Sequence, residues 1–236
     1  NPHIKEKMDL DIQVSKLQLL KQSFLNQKYE LEDNVTKHFP EKIREQETWI
    51  AQYEADIAQV KAHTPSDRDT FPVMQIGDNA YTEKKEAGQA IIDACKAMKS
   101  PEPVALGVYR GLSMELAYSS ASQEFVITLR GKGKYRVPLG TDIYGNITRL
   151  DNKMNELPDN LSRCREVLET VKSQLESAKI EVQKGFPQEK ELEEKVARLG
   201  ELNALLDMDK KDRVMIDEEP EEGEIEPERR QAAWVR

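Results

Sequence analysis

Eleven apolar side chains from Ile147 to Val182 follow one another at spacings that alternate between three and four without a slip: Ile147, Leu150, Met154, Leu157, Leu161, Cys164, Leu168, Val171, Leu175, Ala178 and Val182. A strand alternates every second residue and cannot hold such a phase. A heptad kept over this distance predicts a long helix with one apolar seam that another helix must cover, the packing of a coiled coil. Pro158 lies inside the run, lacks an amide and crowds the preceding turn. Because the phase survives across it, a kink or a brief break is expected there, not a loop.

Other segments offer matching seams. Leu10, Leu17, Phe24 and Leu31 recur by sevens, with Val14, Leu20 and Val35 filling in. Ile43, Ile50 and Ile57 do the same with Tyr53 and Val60, and Leu192, Val196, Leu199, Leu202 and Leu206 form a fourth stripe. The chain also writes one junction twice, "VTKHFPEK" at Val35–Lys42 and "VQKGFPQEK" at Val182–Lys190. Proline is tolerated in a first helical turn and an apolar residue before it can staple the helix start. Each Phe-Pro is therefore expected to end one helix and begin the next, which predicts two antiparallel helical hairpins packing on each other. A composition of 33% charged, 38% hydrophobic and 6% aromatic residues suits long exposed helices better than a thick globule.

Between these stripes the period changes. "FPVMQIGDNAYT" reads as a short hairpin turning at Asp78-Asn79, and Thr82 is the expected N-cap of a helix over Glu83–Met98 with Ala87, Ile91, Ile92, Cys95 and Met98 inward. After "KSPEP" come four strand-like runs, "VALGVYRG", "LSMELAYS", "EFVITLRG" and "KYRVPLG". The expected fold class is α+β, with long helical hairpins or a coiled coil carrying, at their far end, a small inserted domain of mostly antiparallel sheet with one helix against it. The expected divisions are residues 1–64 (N-terminal hairpin), 71–140 (small domain), 141–208 (C-terminal hairpin packed on the first) and 209–236, an acidic segment poor in apolar residues and expected to be disordered. Trp234 near its end is read as a stray aromatic or a docking anchor.

No phosphate-cradling G-x-x-x-x-G-K-[ST] and no G-x-S-x-G elbow occurs; "RGKGKYR" has glycines and lysines without that spacing and sits between strands. His3, His38 and His63 have no Cys or His neighbour at metal-ligand spacing. No enzyme, cofactor or metal is expected within the chain. Cys95 and Cys164 fall on apolar stripes, as buried thiols of a reducing, cytoplasmic compartment would. The triplets at Asn34, Asn146 and Asn160 are then chance matches to a glycosylation signal. No apolar run is long enough for a membrane span, and the start, "NPHIKEKMDLDI", reads as an interior point of a longer polypeptide.

The one candidate surface is basic. The chain carries a net charge of −9, but residues 71–140 hold nine Lys and Arg against seven Asp and Glu. Arg130, Lys132, Lys134 and Arg136 cluster at a predicted turn with Tyr135 among them, and Arg110 sits on another. Such cations could neutralise phosphates while the tyrosine stacks on a base. The alternative is a charged edge that keeps a hairpin soluble.

"NPHIKEKMDLDIQVSKLQLLK", "KYELEDNVTKHFPEKI", "YTEKKEAGQAIIDACK", "LGTDIYGNITRLDNKM" and "FPQEKELEEKVARLGELNALLDMD" resemble, in that order, the C-terminal region of very large polypeptides of bacterial conjugative elements and phages. In that family an SNF2-type helicase, often fused to an adenine-specific DNA methylase, precedes this region. The helicase boxes and the methylase motif have no counterparts in this chain. The resemblance implies an appended module of a DNA-remodelling or DNA-modifying machine on a mobile genetic element, with ATP and S-adenosylmethionine used by the parent. Its implied partners are DNA and the helicase and methylase domains of the same chain; no membrane is expected. Two functions remain open: an accessory helical stalk presenting a small domain to DNA or a partner, and a purely structural coiled coil for self-association or protein docking. Regulation of the parent ATPase by folding back on it is a third.

Overall fold

The computed structural model describes residues 2–67 and 69–216, with side chains as far as 208. Its elements run α1 (Pro2–Asp33), a π-helical segment (Asn34–His38), α2 (Phe39–Ala62), β1 (Met74–Ile76), β2 (Asn79–Tyr81), α3 (Lys84–Ala97), β3 (Val104–Tyr109), β4 (Leu112–Ser119), β5 (Glu124–Arg130), β6 (Lys134–Pro138), α4 (Ile143–Asn155), α5 (Leu157–Val182) and α6 (Glu189–Ile216). The fold is α+β. Among the described residues no helix is long and apolar enough to cross a membrane. Among the described residues two compact units are formed, one by 2–30 with 183–216 and one by Leu31–Val182.

In the second unit all four strand-like runs and the short hairpin pair into one antiparallel sheet, in the order β2-β1-β3-β4-β5-β6. The register puts Met114 opposite Leu129 and Leu129 opposite Tyr135, while Leu116, Ile127 and Val137 form the next row. These side chains are all buried. The opposite face carries a continuous row of Ala80, Gln75, Val108, Ser113, Arg130 and Lys134. One face is thus covered and the other is open along this row, with Val126 its one deeply buried apolar residue on β5.

The covered face receives more than the single helix expected. Ile147, Leu150 and Met154 of α4, with Leu157, join Ile91 and Cys95 of α3 in the sheet's core, and Val60 of α2 joins them too. The heptad run therefore serves two partners. Its first third packs into the α+β core and only the stretch beyond Leu157 faces α2. The break at Glu156, two residues before Pro158, separates these roles, and its helical backbone keeps the phase. Asn146 fastens the approach to α4: its side-chain carbonyl accepts from the Gly140 N–H at 2.7 Å and its amide donates to the Gly140 carbonyl at 2.9 Å. Its place in a glycosylation triplet is coincidental, since the amide is wholly buried.

α2 and α5 pack against each other in opposite directions, with Glu54 reaching Arg165 at 2.6 Å and Glu47 reaching Lys172 at 3.8 Å. In the other unit α1 is paired with α6, not with α2: Val14 and Leu17 meet Leu192, and Lys21–Glu189 and Glu6–Arg198 ion pairs run antiparallel along them. Where the sequence suggested α1 with α2 and α5 with α6, each unit pairs one helix from either half of the chain.

The two junctions explain why. Asp33, His38 and Phe39 all stay in the right-handed helical region, and the Phe39 N–H donates five residues back to the Asn34 carbonyl. Widening the helix by one residue per turn relieves the clash of the Pro40 ring with the preceding turn, so the chain passes through without reversing. At the second junction Gly185 stands where the first has His38, and the backbone leaves the helix from Gln183 until α6 begins at Glu189. Phe186 packs on another helix. Its ring lies 5.7 Å from that of Phe24 on α1.

Smaller expectations shift as well. Glu83, not Thr82, is the N-cap of α3 and makes no side-chain cap bond. The β1–β2 turn uses Gly77, at φ +57°, in its first central position. The boundaries expected at 64, 71 and 140 are crossed by contacts from α2 and α4, because both helices bury residues in the sheet's core. Residues 209–216, expected to lack structure, continue α6; 217–236, including Trp234, lie outside the described residues.

A Cβ added at Gly88 on α3 would fall against the Ile143 carbonyl, whereas one at Gly200 on α6 meets nothing within 4 Å. Gly88→Val is expected to cost about 1–3 kcal/mol through overpacking, and Gly200→Ala to add about 0.5–1 kcal/mol through helix propensity. Thermal denaturation of the two variants checks both.

Candidate nucleic-acid interface

Two tight turns lie at one end of the sheet: Arg110-Gly111 between β3 and β4, and Gly131–Gly133 between β5 and β6, the latter carrying Lys132 and flanked by Arg130, Lys134 and Arg136. Both are gripped by the C-terminal half of α2. Asp56, only 2% exposed, accepts from the Lys132 N–H at 2.6 Å, the Gly133 N–H at 2.8 Å and the Tyr135 hydroxyl at 2.6 Å. A carboxylate taken out of water is tolerated when charge-assisted bonds replace its hydration, and here three donors converge on it. The turn approaches so closely that a Cβ at Gly131 would strike the Asp56 carboxylate. One and two turns further along α2, Gln59 donates to the Gly111 carbonyl at 3.4 Å and Thr64, just past the helix end, accepts from Arg110 Nε at 2.9 Å.

Arg110 and Gly111 both have positive φ, 48° and 80°, as a two-residue hairpin of the I′ kind needs. The arginine backbone is held in this uncommon region by its side chain. Its guanidinium, with the side chain 11% exposed, lies 3.2 Å from Asp151 of α4, which also accepts from the Tyr109 hydroxyl at 2.9 Å. Burial, reinforced by the Asp151 charge and hydrogen bond, pushes the Tyr109 phenol far above its ordinary range.

Of the six basic or aromatic candidates, four come together. Arg130 and Lys134 are direct cross-strand neighbours on the open face, Arg136 lies two residues along β6 on that face, and Lys132 stands on the adjoining turn. Lys132, Lys134 and Arg136 are exposed. Arg130 is half-buried, with Nε 2.6 Å from Glu115 Oε2 on the neighbouring strand; the Nε–H has no aligned acceptor, so the contact is an ion pair and not a hydrogen bond. The other two are structural. Arg110 braces its own turn, and Tyr135 points to the covered face, where its ring stacks 6.1 Å from Tyr53 of α2. Burial, then the bond to Asp56, drives the Tyr135 phenol far above the usual range. It has no face to offer a base.

Beside Lys132 a shallow trough of about 690 Å³ runs along α2, lined by Arg44, Glu47, Thr48, Ala51 and Ala55. Among the described residues no group of three or more His, Cys, Asp or Glu side chains is placed to hold a metal ion. Both thiols are buried, and burial pushes Cys95 up to about 11 and raises Cys164. Asp56 and Asp151 belong to no motif in the sequence. Asp56 had a signal, since it lies three residues after Tyr53 and four before Val60, on the apolar stripe of α2.

No protein-family model, no curated protein and no solved structure matches this chain.

Asp56→Ala strands two turn amides and a phenol, and is expected to cost about 3 kcal/mol in denaturant unfolding, with Tyr135→Phe costing about 1 kcal/mol. The raised phenol adds a pH signature. Tyr135 must stay neutral in the folded state, so its contribution is complete below the unfolded tyrosine value of about 10 and is lost as pH rises beyond it. The stability gap between wild type and Tyr135→Phe should accordingly shrink at alkaline pH.

Proposed function

We propose that the chain is a non-catalytic accessory module that contacts nucleic acid through the open face of its sheet, binding phosphates and not bases. The observation that carries this reading is the placement of Lys134 and Arg136 side by side on that face, with Lys132 on a turn whose backbone is fixed by Asp56. Cations presented on rigid backbone lose less freedom on meeting a phosphate than cations on a loose loop. Arg44 lines the same trough as Lys132, where the one acid, Glu47, is paired with Lys172. With Tyr135 on the covered face no aromatic platform among the described residues accompanies the charges, so binding is expected to be insensitive to base sequence.

In this reading α2 and α5 form an antiparallel coiled coil that carries the sheet, and the chain contributes geometry to a larger DNA-translocating or DNA-modifying polypeptide. ATP hydrolysis and methyl transfer belong to that parent, as the resemblance to mobile-element helicase and methylase fusions implies. A second reading, protein docking without nucleic acid, is favoured by the apolar side chains that α1 exposes, Ile12 and Leu19 above all.

Fluorescence anisotropy with mixed-sequence duplex and single-stranded DNA at several salt concentrations tests the proposal. The wild-type chain should bind at low salt. Reversing Lys132, Lys134 and Arg136 to Glu should weaken binding and flatten the log K against log salt slope by about 2–3. No binding at low salt, or affinity unchanged by the triple reversal, would leave the docking reading in its place.

A further inference from the structure

Helix α1 has two apolar faces, and the interior of its own unit uses one. Val14 and Leu17 point towards α6, where they meet Leu192 with Leu199 against them. Ile4, Met8, Ile12 and Leu19 are 50%, 62%, 68% and 73% exposed. At about 100° of rotation per residue these four fall within an arc of about 80°, on the far side of the helix from Val14 and Leu17. Isolated exposed apolar residues need no explanation, but four in one stripe on a helix otherwise rich in Lys, Gln and Asp do.

The stripe coincides with a shortage. Among the described residues of this unit only Val14, Leu17, Leu192 and Leu202 are deeply buried apolar side chains. Helix pairs with so little interior ordinarily find stability as halves of a larger bundle, whose core is covered from all sides. The polar residues beside the stripe are self-complementary. Asp9 and Lys16 are both exposed, lie on the same edge of the stripe and bracket Ile12.

We infer that the chain forms a symmetric dimer through α1, two copies laying Ile4, Met8, Ile12 and Leu19 against one another antiparallel about a two-fold axis near Ile12. In that arrangement Asp9 of each copy faces Lys16 of the other, twice over. In a parallel pair the same edges point apart and these charges do not meet. The occupant is a second copy because the charged edge matches its own two-fold image, and Ile4 at one end of the stripe then meets Leu19 at the other, as an isologous interface requires. With the methylene stems of Lys5 and Lys16 alongside, the paired stripes would bury on the order of 1,000 Å² in total, the lower bound of a specific interface.

Sedimentation equilibrium on the full chain, with circular dichroism to check helix content, tests this. The wild type is expected to dimerise in the micromolar range, and Met8→Glu or Ile12→Glu to yield monomers with unchanged helix content. Asp9→Lys alone should weaken the dimer roughly fivefold to tenfold, and Asp9→Lys with Lys16→Asp should restore it. The charge exchange leaves the apolar stripe intact, so it reports on pairing geometry and not on folding. A monomeric wild type, a dimer indifferent to Ile12→Glu, or a charge-reversed dimer that the double exchange does not restore would each overturn the inference.

Discussion

Asp56 is the point at which helix and sheet become one object. Its carboxylate leaves water only because the Lys132 and Gly133 amides and the Tyr135 hydroxyl take water's place. The constraint acts in both directions. The β5–β6 turn cannot drift without orphaning a buried charge, and α2 cannot slide along the sheet without abandoning the turn. Gln59 and Thr64 repeat the grip on the neighbouring turn with ordinary hydrogen bonds, so α2 lies across two hairpin ends and not merely beside them. The position of Lys132 follows from that clamp, while Arg130, Lys134 and Arg136 are set by the β5–β6 register beside it.

The regular parts of the fold were legible because they repeat. The heptad from Ile147 onward specified a helix, and the change to period two specified the strands, because burial on one side is the physical cause of both rhythms. What a rhythm does not encode is the partner. The same apolar stripe satisfies a sheet at Leu150 and a helix at Leu168, and nothing in the spacing distinguishes them. The Phe-Pro junctions show a finer limit. Two near-identical strings act differently: the first keeps helical backbone through its proline by widening, and the second leaves the helix at Gln183, four residues before its own proline.

The candidate interface was half legible for a similar reason. Lysines and arginines around a predicted turn are conspicuous, and strand alternation correctly separates Lys134 and Arg136 from Tyr135 once the register is known. Arg110 misleads, because its charge is used locally to hold a left-handed backbone next to Asp151. The acids that organise the site are harder to find, since the chain has 44 Asp and Glu and most of them decorate helix surfaces. Only position on an apolar stripe separates Asp56 from that background.

The two cysteines give the molecule a property that packing alone would not advertise. Cys95 belongs to the sheet's core and Cys164 to the contact of α5 with α2, and neither thiol readily becomes the reactive thiolate. Modification of either by an alkylating reagent must wait until its own layer breathes open. Followed over time, the order in which the two sulfurs lose protection records whether the helical arm peels away before the sheet melts or departs with it, without any label having to be engineered in.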